Sequence, residues 1–91
     1  MSIIVRIAGP LRQLTEGTTD MDIEAQDVAG CLDQLGSRFP KLKERLWDEE
    51  GQLHRHINVY VNGDDVRFLQ QLSTPLGAGD ELSIIPAMAG G

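Results

Sequence analysis

Apolar and polar residues alternate with a period of two in four stretches of the chain. This period is typical of β-strands that bury one face against a core. The first two stretches are separated by a segment that opens with Gly9 and Pro10, which favours a hairpin with a long connection. The four predicted strands span residues 3–8, 19–25, 57–61 and 81–85.

A helical period lies between the second and third predicted strands. Five apolar residues recur there at the spacing of one helix face, with Asp27 placed to cap the first turn and Pro40 placed to end the helix. Leu42 and Leu46 lie one turn apart and predict a short second helical piece. The apolar stripe of the main helix consists of Val28, Cys31, Leu32, Leu35 and Phe39.

The segment after the third predicted strand begins with a turn signal. Asn62 and Gly63 favour a tight hairpin turn, which would place Val66 on a brief additional strand. Residues 67–80 show no period and predict irregular structure before the last strand. We expect the apolar side chains of this segment to cover one end of the core, namely Phe68, Leu69, Leu72 and Leu76.

The order strand, strand, helix, strand, short strand, strand predicts an α+β fold of the β-grasp, ubiquitin-like class. We expect a mixed sheet of four to five strands, covered on one face by one main helix. Residues 1–86 would form this domain, and residues 87–91 would form a flexible C-terminal tail.

Composition and charge exclude several classes of function. The chain has 91 residues, enough for one domain, and its 14 acidic and 8 basic residues give a net charge of −6. An acidic surface repels phosphate backbones, so nucleic acid is not an expected partner. No apolar run is long enough to cross a bilayer, so no membrane is expected either. The single cysteine and the lack of a signal-peptide pattern predict a cytoplasmic protein.

The folded body offers no obvious catalytic group. Cys31 belongs to the apolar stripe of the main helix, where a buried thiol is inert. His54 and His56 form an H-x-H pair, but no third or fourth ligand accompanies them, so no metal site is predicted. We therefore expect the protein not to be an enzyme.

The last two residues, Gly90 and Gly91, attract attention because they have no side chains. Such a segment fits a tunnel too narrow for other residues, and the Gly91 carboxylate is ionised at neutral pH and can act as an oxygen nucleophile. The five residues 87–91 span at most about 16 to 18 Å when extended, enough to enter a partner's active site while the body docks outside. A frayed terminus without function is the alternative interpretation.

The alternation of the predicted strands also indicates a docking patch. If Leu82 and Ile84 point into the core, Ile85 points outward, and so do Ile4 and Tyr60 on the other strands. Apolar residues on the open face of a sheet, close to the tail, are typical of a protein-binding surface.

Four stretches of the sequence are similar to a known family. "PLRQLTEG", "NVYVNGDDVRF", "LGAGDELSIIP" and the terminal "AGG" together resemble the MoaD/ThiS family of ubiquitin-like sulfur carriers over almost the whole chain. The resemblance implies that a ThiF/MoeB-type activating enzyme uses ATP to adenylate Gly91, after which sulfur replaces the adenylate to give a thiocarboxylate. It also implies that Ala87, Met88, Ala89 and Gly90 thread into the partner. The chain itself would bind no cofactor.

The resemblance leaves the sulfur acceptor open. The single proline in "IPAMAGG" is similar to the carriers of cysteine biosynthesis, whose acceptor is a pyridoxal-phosphate-dependent cysteine synthase and whose tail is restored by a zinc metalloprotease. Molybdopterin, thiamine and secondary metabolites are other end products of such carriers. Two further classes remain: a ubiquitin-like modifier joined to lysines through Gly91, and a passive β-grasp binding module.

Overall fold

The computed structural model describes residues 2–87 and contains five strands and two α-helices in that range. Three short 3₁₀ helices, at Gly9–Thr15, Val66–Phe68 and Gln71–Ser73, fill the connections. The strands and helices in chain order are β1 Ser2–Ile7, β2 Asp20–Glu24, α1 Val28–Arg38, α2 Pro40–Leu46, β3 Ile57–Val61, β4 Asp64–Asp65 and β5 Glu81–Pro86.

All five strands belong to one mixed sheet in the order β2-β1-β5-β3-β4. β1 and β2 form the predicted antiparallel hairpin, with Ile4 opposite Asp22. β5 lies in the centre, parallel to β1 and antiparallel to β3. The last strand of the domain is therefore hydrogen-bonded on both sides, and the predicted mixed β-grasp sheet is confirmed.

Asp27 and Pro40 set the start and the end of α1. The Asp27 side chain accepts a hydrogen bond from the backbone N–H of Gly30 at 2.7 Å, which satisfies one of the donors that a helix start leaves without a partner. Pro40 has no N–H, so α1 ends at Arg38 and Pro40 begins α2. At Gly36 the two helices approach closely, since a Cβ there would lie 3.2 Å from the Cβ of Lys43.

The core lies between α1 and the inward face of the sheet. Leu82 and Ile84 of β5 are fully buried, as are Ile3 and Val5 of β1. Each such side chain contributes about 1.5 to 3 kcal/mol relative to full exposure. The predicted inward faces of these strands are therefore confirmed, and their outward residues form the uncovered side of the sheet.

The predicted position of Val66 on a strand is wrong. β4 contains only Asp64 and Asp65, and Val66 begins a 3₁₀ helix with its side chain buried. The Asp65 carboxylate accepts a hydrogen bond from the backbone N–H of Arg67 at 2.9 Å, so the side chain of the last strand residue turns the chain away from the ladder.

The prediction that four apolar residues cover the end of the core is wrong for two of them, Phe68 and Leu69. Leu76 is buried and Leu72 packs partly against the core, but Phe68 is 86% exposed and Leu69 is 41% exposed. The reason lies in the buried Thr74, whose hydroxyl accepts from the N–H of Gln70 at 3.1 Å and thereby fixes the loop. This loop directs Leu76 inward and leaves Phe68 in solvent.

Candidate functional site at the root of the tail

The last described residues of the chain lie at the end of the central strand. Pro86 lies opposite Ile57 of β3, and the backbone N–H of Ala87 donates to the carbonyl oxygen of His56 at 2.7 Å. The hydrogen-bond ladder thus continues one residue beyond β5. The predicted threading residues Met88, Ala89 and Gly90 and the predicted reactive residue Gly91 lie outside the described residues. Their roles stay predictions.

The predicted docking patch lies on the open face of the sheet. Ile85 is 39% exposed, and Ile4 and Tyr60 are half-buried at outward positions of their strands. Ile85 is the member next to the tail, two residues before Ala87. The outward orientation therefore agrees with the sequence pattern, while binding by this patch stays a prediction.

The strand register shows how far these residues lie apart. Ile85 lies opposite Asn58, and Tyr60 lies opposite Ser83, so the two apolar residues are diagonal neighbours. Ile4 lies opposite Glu81, four residues from Ile85 along β5, or about 13 Å at the usual rise of a strand. The open face therefore carries an apolar centre near the tail and a separate apolar residue towards its other end.

Charged residues occupy the space around Ile4. Arg6 approaches the carboxylate of Glu81 at 3.3 Å and that of Asp20 at 3.9 Å. These pairs are largely exposed and contribute at most about 1 kcal/mol each to stability. They make this end of the open face polar, so a partner that contacts Ile4 also has to accommodate an ion-paired guanidinium.

A second polar group, missed by the sequence analysis, lies beside the tail root. The Arg67 guanidinium donates to the side-chain oxygen of Asn58 and approaches the Asp65 carboxylate at 3.7 Å. Asn58 is an outward residue of β3 directly opposite Ile85. The alternation of β3 indicated that Asn58 points outward, but only the 3₁₀ helix that starts at Val66 brings Arg67 to it.

The two histidines of the H-x-H pair lie at the same end of the sheet. Their rings stack with centroids 4.8 Å apart, and the Nδ1 atom of His54 accepts a hydrogen bond from the backbone N–H of His56 at 3.2 Å. Stacked rings do not converge on a common metal ion. Within residues 2–87 no three His, Cys, Asp or Glu side chains are grouped to hold one.

Cys31 lies in the core on α1 and is fully buried. Burial raises the pKa of its thiol to about 12, because a thiolate is poorly solvated among apolar side chains. A thiol in this state is neither a nucleophile nor a sulfur carrier at neutral pH. The structure thus agrees with the sequence interpretation of Cys31 as a core residue.

A β-grasp sheet whose last described residues belong to the central strand, beside an open face, is the architecture of ubiquitin-like carrier and modifier proteins. The chain belongs to the ThiS family, whose family model matches residues 5–91. Both the β-grasp fold and the predicted relationship to MoaD/ThiS carriers are thereby confirmed. No helix within the described range is long and apolar enough to span a membrane.

Three relatives show which members of the family the chain is similar to. The sulfur carrier protein CysO of Mycobacterium tuberculosis is 37% identical over 93 residues, which cover 100% of each chain. A chain of the Amycolatopsis orientalis BexX/CysO complex is 43% identical with a TM-score of 0.86, covering 98% of this chain and 99% of that chain. Small archaeal modifier protein 1 of Haloferax volcanii is 35% identical over 75 residues, 81% of this chain and 82% of the relative.

These relatives are carriers and modifiers and not catalysts, which confirms the prediction that the chain is not an enzyme. The general assignment as a CysO-like sulfur carrier is likewise supported. The Amycolatopsis orientalis BexX/CysO complex also shows that a relative of this chain associates with another protein.

Proposed function

We propose that this protein carries sulfur as a thiocarboxylate on Gly91, formed after a ThiF/MoeB-type enzyme adenylates that residue with ATP. One observation carries the proposal: the match to CysO covers 100% of both chains, so the Gly-Gly ending corresponds to the end of that sulfur carrier. The β5 strand supports it, because this central strand carries the last described residues of the chain beside the open face of the sheet.

The proposed chemistry proceeds in two displacements. A Gly91 carboxylate oxygen attacks the α-phosphorus of ATP, forming an acyl-adenylate and releasing pyrophosphate. A sulfide-equivalent donor then attacks the acyl carbon, the bond to AMP breaks, and AMP leaves with its electron pair. Adenylation replaces a poor leaving group with a good one, and glycine leaves the acyl carbon open to attack. All ATP chemistry takes place in the partner, so the chain needs no cofactor of its own.

The folded body supplies the binding energy for these steps. Ordering residues 88–91 in a tunnel costs about 1 to 2 kcal/mol per residue, which the partner has to offset. Ile85 and Tyr60 provide apolar contact close to the tail, and backbone hydrogen bonds inside the tunnel provide the remainder. Docking by the body then places the sulfur at the acceptor without release of free sulfide.

Cysteine is the end product that the comparisons favour, because CysO relatives cover the full length of the chain. The acceptor would be a pyridoxal-phosphate-dependent cysteine synthase. A zinc metalloprotease would then remove the new cysteine and restore Gly90-Gly91. Both partners follow from the family resemblance.

A modifier function is the second candidate, favoured by the similarity to small archaeal modifier protein 1. Here the Gly91 adenylate would be attacked by a lysine amine of another protein, with AMP leaving and an isopeptide bond forming. Both functions use the same activated terminus, so they differ only in the nucleophile that captures it.

Intact-mass spectrometry after incubation with the activating enzyme, ATP and sulfide tests the proposal. We expect the exchange of one oxygen for sulfur in the parent chain. A variant with one alanine appended after Gly91 should not be converted, because its carboxylate is moved out of register with the partner's active site. The matched control carries the extra alanine before Met1 and should be converted like the parent.

Three results would contradict the carrier proposal. The first is full pathway competence after removal of Gly90 and Gly91. The second is equal conversion of both alanine variants. The third is a ladder of conjugates on other proteins with no sulfur incorporation, which would identify the chain as a modifier.

A further inference from the structure

The turn between β3 and β4 contains the dipeptide Asn62-Gly63. Both residues are exposed and have positive φ angles, 51° at Asn62 and 89° at Gly63, as a tight hairpin turn requires. Because Gly63 has no Cβ, no side chain shields its backbone nitrogen from the residue before it. An asparagine followed by a glycine is therefore the sequence in which the main chain can most readily attack its own side-chain amide.

The Asn62 side chain is bound to the start of β5. Its Nδ2 atom donates to Oδ1 of Asp80 at 3.1 Å, and its Oδ1 atom accepts from the backbone N–H of Glu81 at 3.0 Å. The backbone N–H of Asn62 also donates to the carbonyl oxygen of Glu81 at 2.8 Å. Both ends of the side-chain amide are thus occupied by the chain on the far side of the turn.

Asp80 is itself held by neighbouring residues. Its Oδ2 atom accepts from the backbone N–H of Gly77 at 2.8 Å, and its carbonyl oxygen accepts from the backbone N–H of Ile4 at 2.9 Å. Hydrogen bonds from Gly77 and Asn62 lower the pKa of the Asp80 carboxyl, so this group is ionised at neutral pH. The Asn62 amide is therefore bound to a charged acceptor whose position is fixed by other contacts.

We propose that Asn62 is a site of spontaneous deamidation and that its hydrogen bond to Asp80 sets the rate. In this reaction the Gly63 nitrogen attacks the side-chain carbonyl carbon of Asn62 and forms a C–N bond. Gly63 loses its amide proton, and the side-chain nitrogen takes up a proton and leaves as ammonia. Water then opens the five-membered imide at either carbonyl and gives aspartate or isoaspartate. One water is consumed and one ammonia is released, so no enzyme or cofactor is needed.

The product loses the contact that protected the amide. An aspartate at position 62 has no side-chain donor for Asp80, and two ionised carboxylates at the present separation of 3.1 Å repel each other. Isoaspartate adds one methylene group to the main chain, which disturbs the bond from the backbone N–H of residue 62 to Glu81. Either change weakens the attachment of the β3–β4 turn to the start of the central strand, at the opposite end of β5 from Ile85.

Peptide mapping by mass spectrometry in water enriched in heavy oxygen tests the proposal, because each deamidation incorporates one solvent oxygen. The chain has two asparagines, and Asn58 serves as an internal control, since the β-branched Val59 that follows it hinders the attack. We expect incorporation at Asn62 and not at Asn58, and a lower rate at Asn62 in the native protein than in denaturant. No activating enzyme is present, so this result and the proposed function can fail separately.

Substitutions at Asp80 isolate the protecting contact. Asp80→Ala should raise the deamidation rate of Asn62 by about 10-fold or more, the factor that corresponds to a lost hydrogen bond to a charged group. Asp80→Asn keeps an uncharged acceptor oxygen and should give a smaller increase. Asp27→Ala is the matched control and should leave the rate unchanged. It also removes a carboxylate that accepts from the N–H of a glycine three residues away, but at the start of α1.

An exchange of the two side chains tests the predicted effect of the product. Asn62→Asp should lower the Tm measured by circular dichroism, because it sets two carboxylates against each other. Combining it with Asp80→Asn should restore most of the loss, since the pair then again consists of one amide and one carboxylate.

Three outcomes would overturn the proposal. Equal rates at Asn62 in the parent and in Asp80→Ala, or in native and denatured protein, would show that the contact does not set the rate. Absence of heavy oxygen at Asn62 even in denaturant would show that this residue is not a modification site. A double variant no more stable than Asn62→Asp alone would exclude carboxylate repulsion as the consequence.

Discussion

Replacing Cys31 with alanine tests whether the only cysteine of the chain takes part in the proposed sulfur transfer. The Cys31 side chain is fully buried on α1, so the change removes one sulfur atom from a packed core. Losing the transfer free energy of that atom and leaving a small cavity costs about 1 to 2 kcal/mol. For a domain of this size, that loss lowers Tm by about 4 to 16 °C.

Sulfur loading should not change in the Cys31→Ala variant. Because burial raises the pKa of the Cys31 thiol to about 12, almost none of it is ionised at pH 7, and it does not serve as a nucleophile. An alkylating reagent should therefore leave the native protein unmodified and react fully only in denaturant. Thermal unfolding followed by circular dichroism measures the stability, and intact mass after incubation with activating enzyme, ATP and sulfide measures loading.

Loss of sulfur incorporation in a variant that still folds would refute the reasoning, since it would place Cys31 on the path of the sulfur. Rapid alkylation of the native protein would refute the inference of an inert core thiol. Cys31→Ser is a useful second variant because it keeps the volume of the site. It should load normally and unfold at a lower temperature than the parent, since its hydroxyl is buried in apolar surroundings.

Three further changes test the docking patch, the helix start and the acid response. Ile85→Asp should weaken binding to the activating enzyme without unfolding the domain, and Leu69→Asp, with similar exposure outside the sheet, should bind normally in a titration. Asp27→Ala removes the acceptor for Gly30 and should cost about 1 kcal/mol in urea unfolding. Hydrogen bonds from Gly77 and Asn62 hold the pKa of the Asp80 carboxyl below its ordinary value of 3.8. The ionised carboxylate therefore contributes its full stabilisation above pH 3.8, and this contribution is lost as the pH falls through the lowered pKa. The difference in unfolding free energy between the parent and Asp80→Asn should accordingly shrink in acid.

The parts of the fold that depend on short-range patterns were predictable. Asp27 caps α1 through a contact three residues away, and Pro40 separates the helices by the chemistry of its own ring. Alternation in β1 and β5 likewise indicated which side chains enter the core, because one face of each strand is almost completely buried. Such signals are contained within a few neighbouring residues, so no knowledge of distant contacts is needed to interpret them.

The segment between β4 and β5 was less predictable because it has no period. Phe68 and Leu76 are equally apolar in the pattern, yet one is 86% exposed and the other is 5% exposed. Their difference arises from the hydrogen bonds of Thr74 and from the Asp65 side chain that ends β4. Exposed apolar residues are common in proteins, so hydrophobicity alone does not decide orientation in a loop.

The candidate site depends on pairings that the sequence pattern does not contain. Alternation indicated that Ile85 and Ile4 point outward, but only the register of β5 against its neighbours shows that about 13 Å separates them along the sheet. The contact between Arg67 and Asn58 likewise requires the 3₁₀ helix after β4. Tertiary pairing therefore decides which polar groups lie beside the tail.

The central position of β5 fixes the point in the sheet from which residues 88–91 follow. A tail attached to an edge strand would transmit any pull from a partner to one ladder, whereas β5 is bonded to both β1 and β3. Ala87 extends the β3 ladder by one bond to His56. Since Ile85 lies two residues before Ala87, a partner that binds Ile85 would contact the domain next to the last described residue. Under the proposed function, a partner would then have to order only residues 88–91, at a cost of about 1 to 2 kcal/mol per residue.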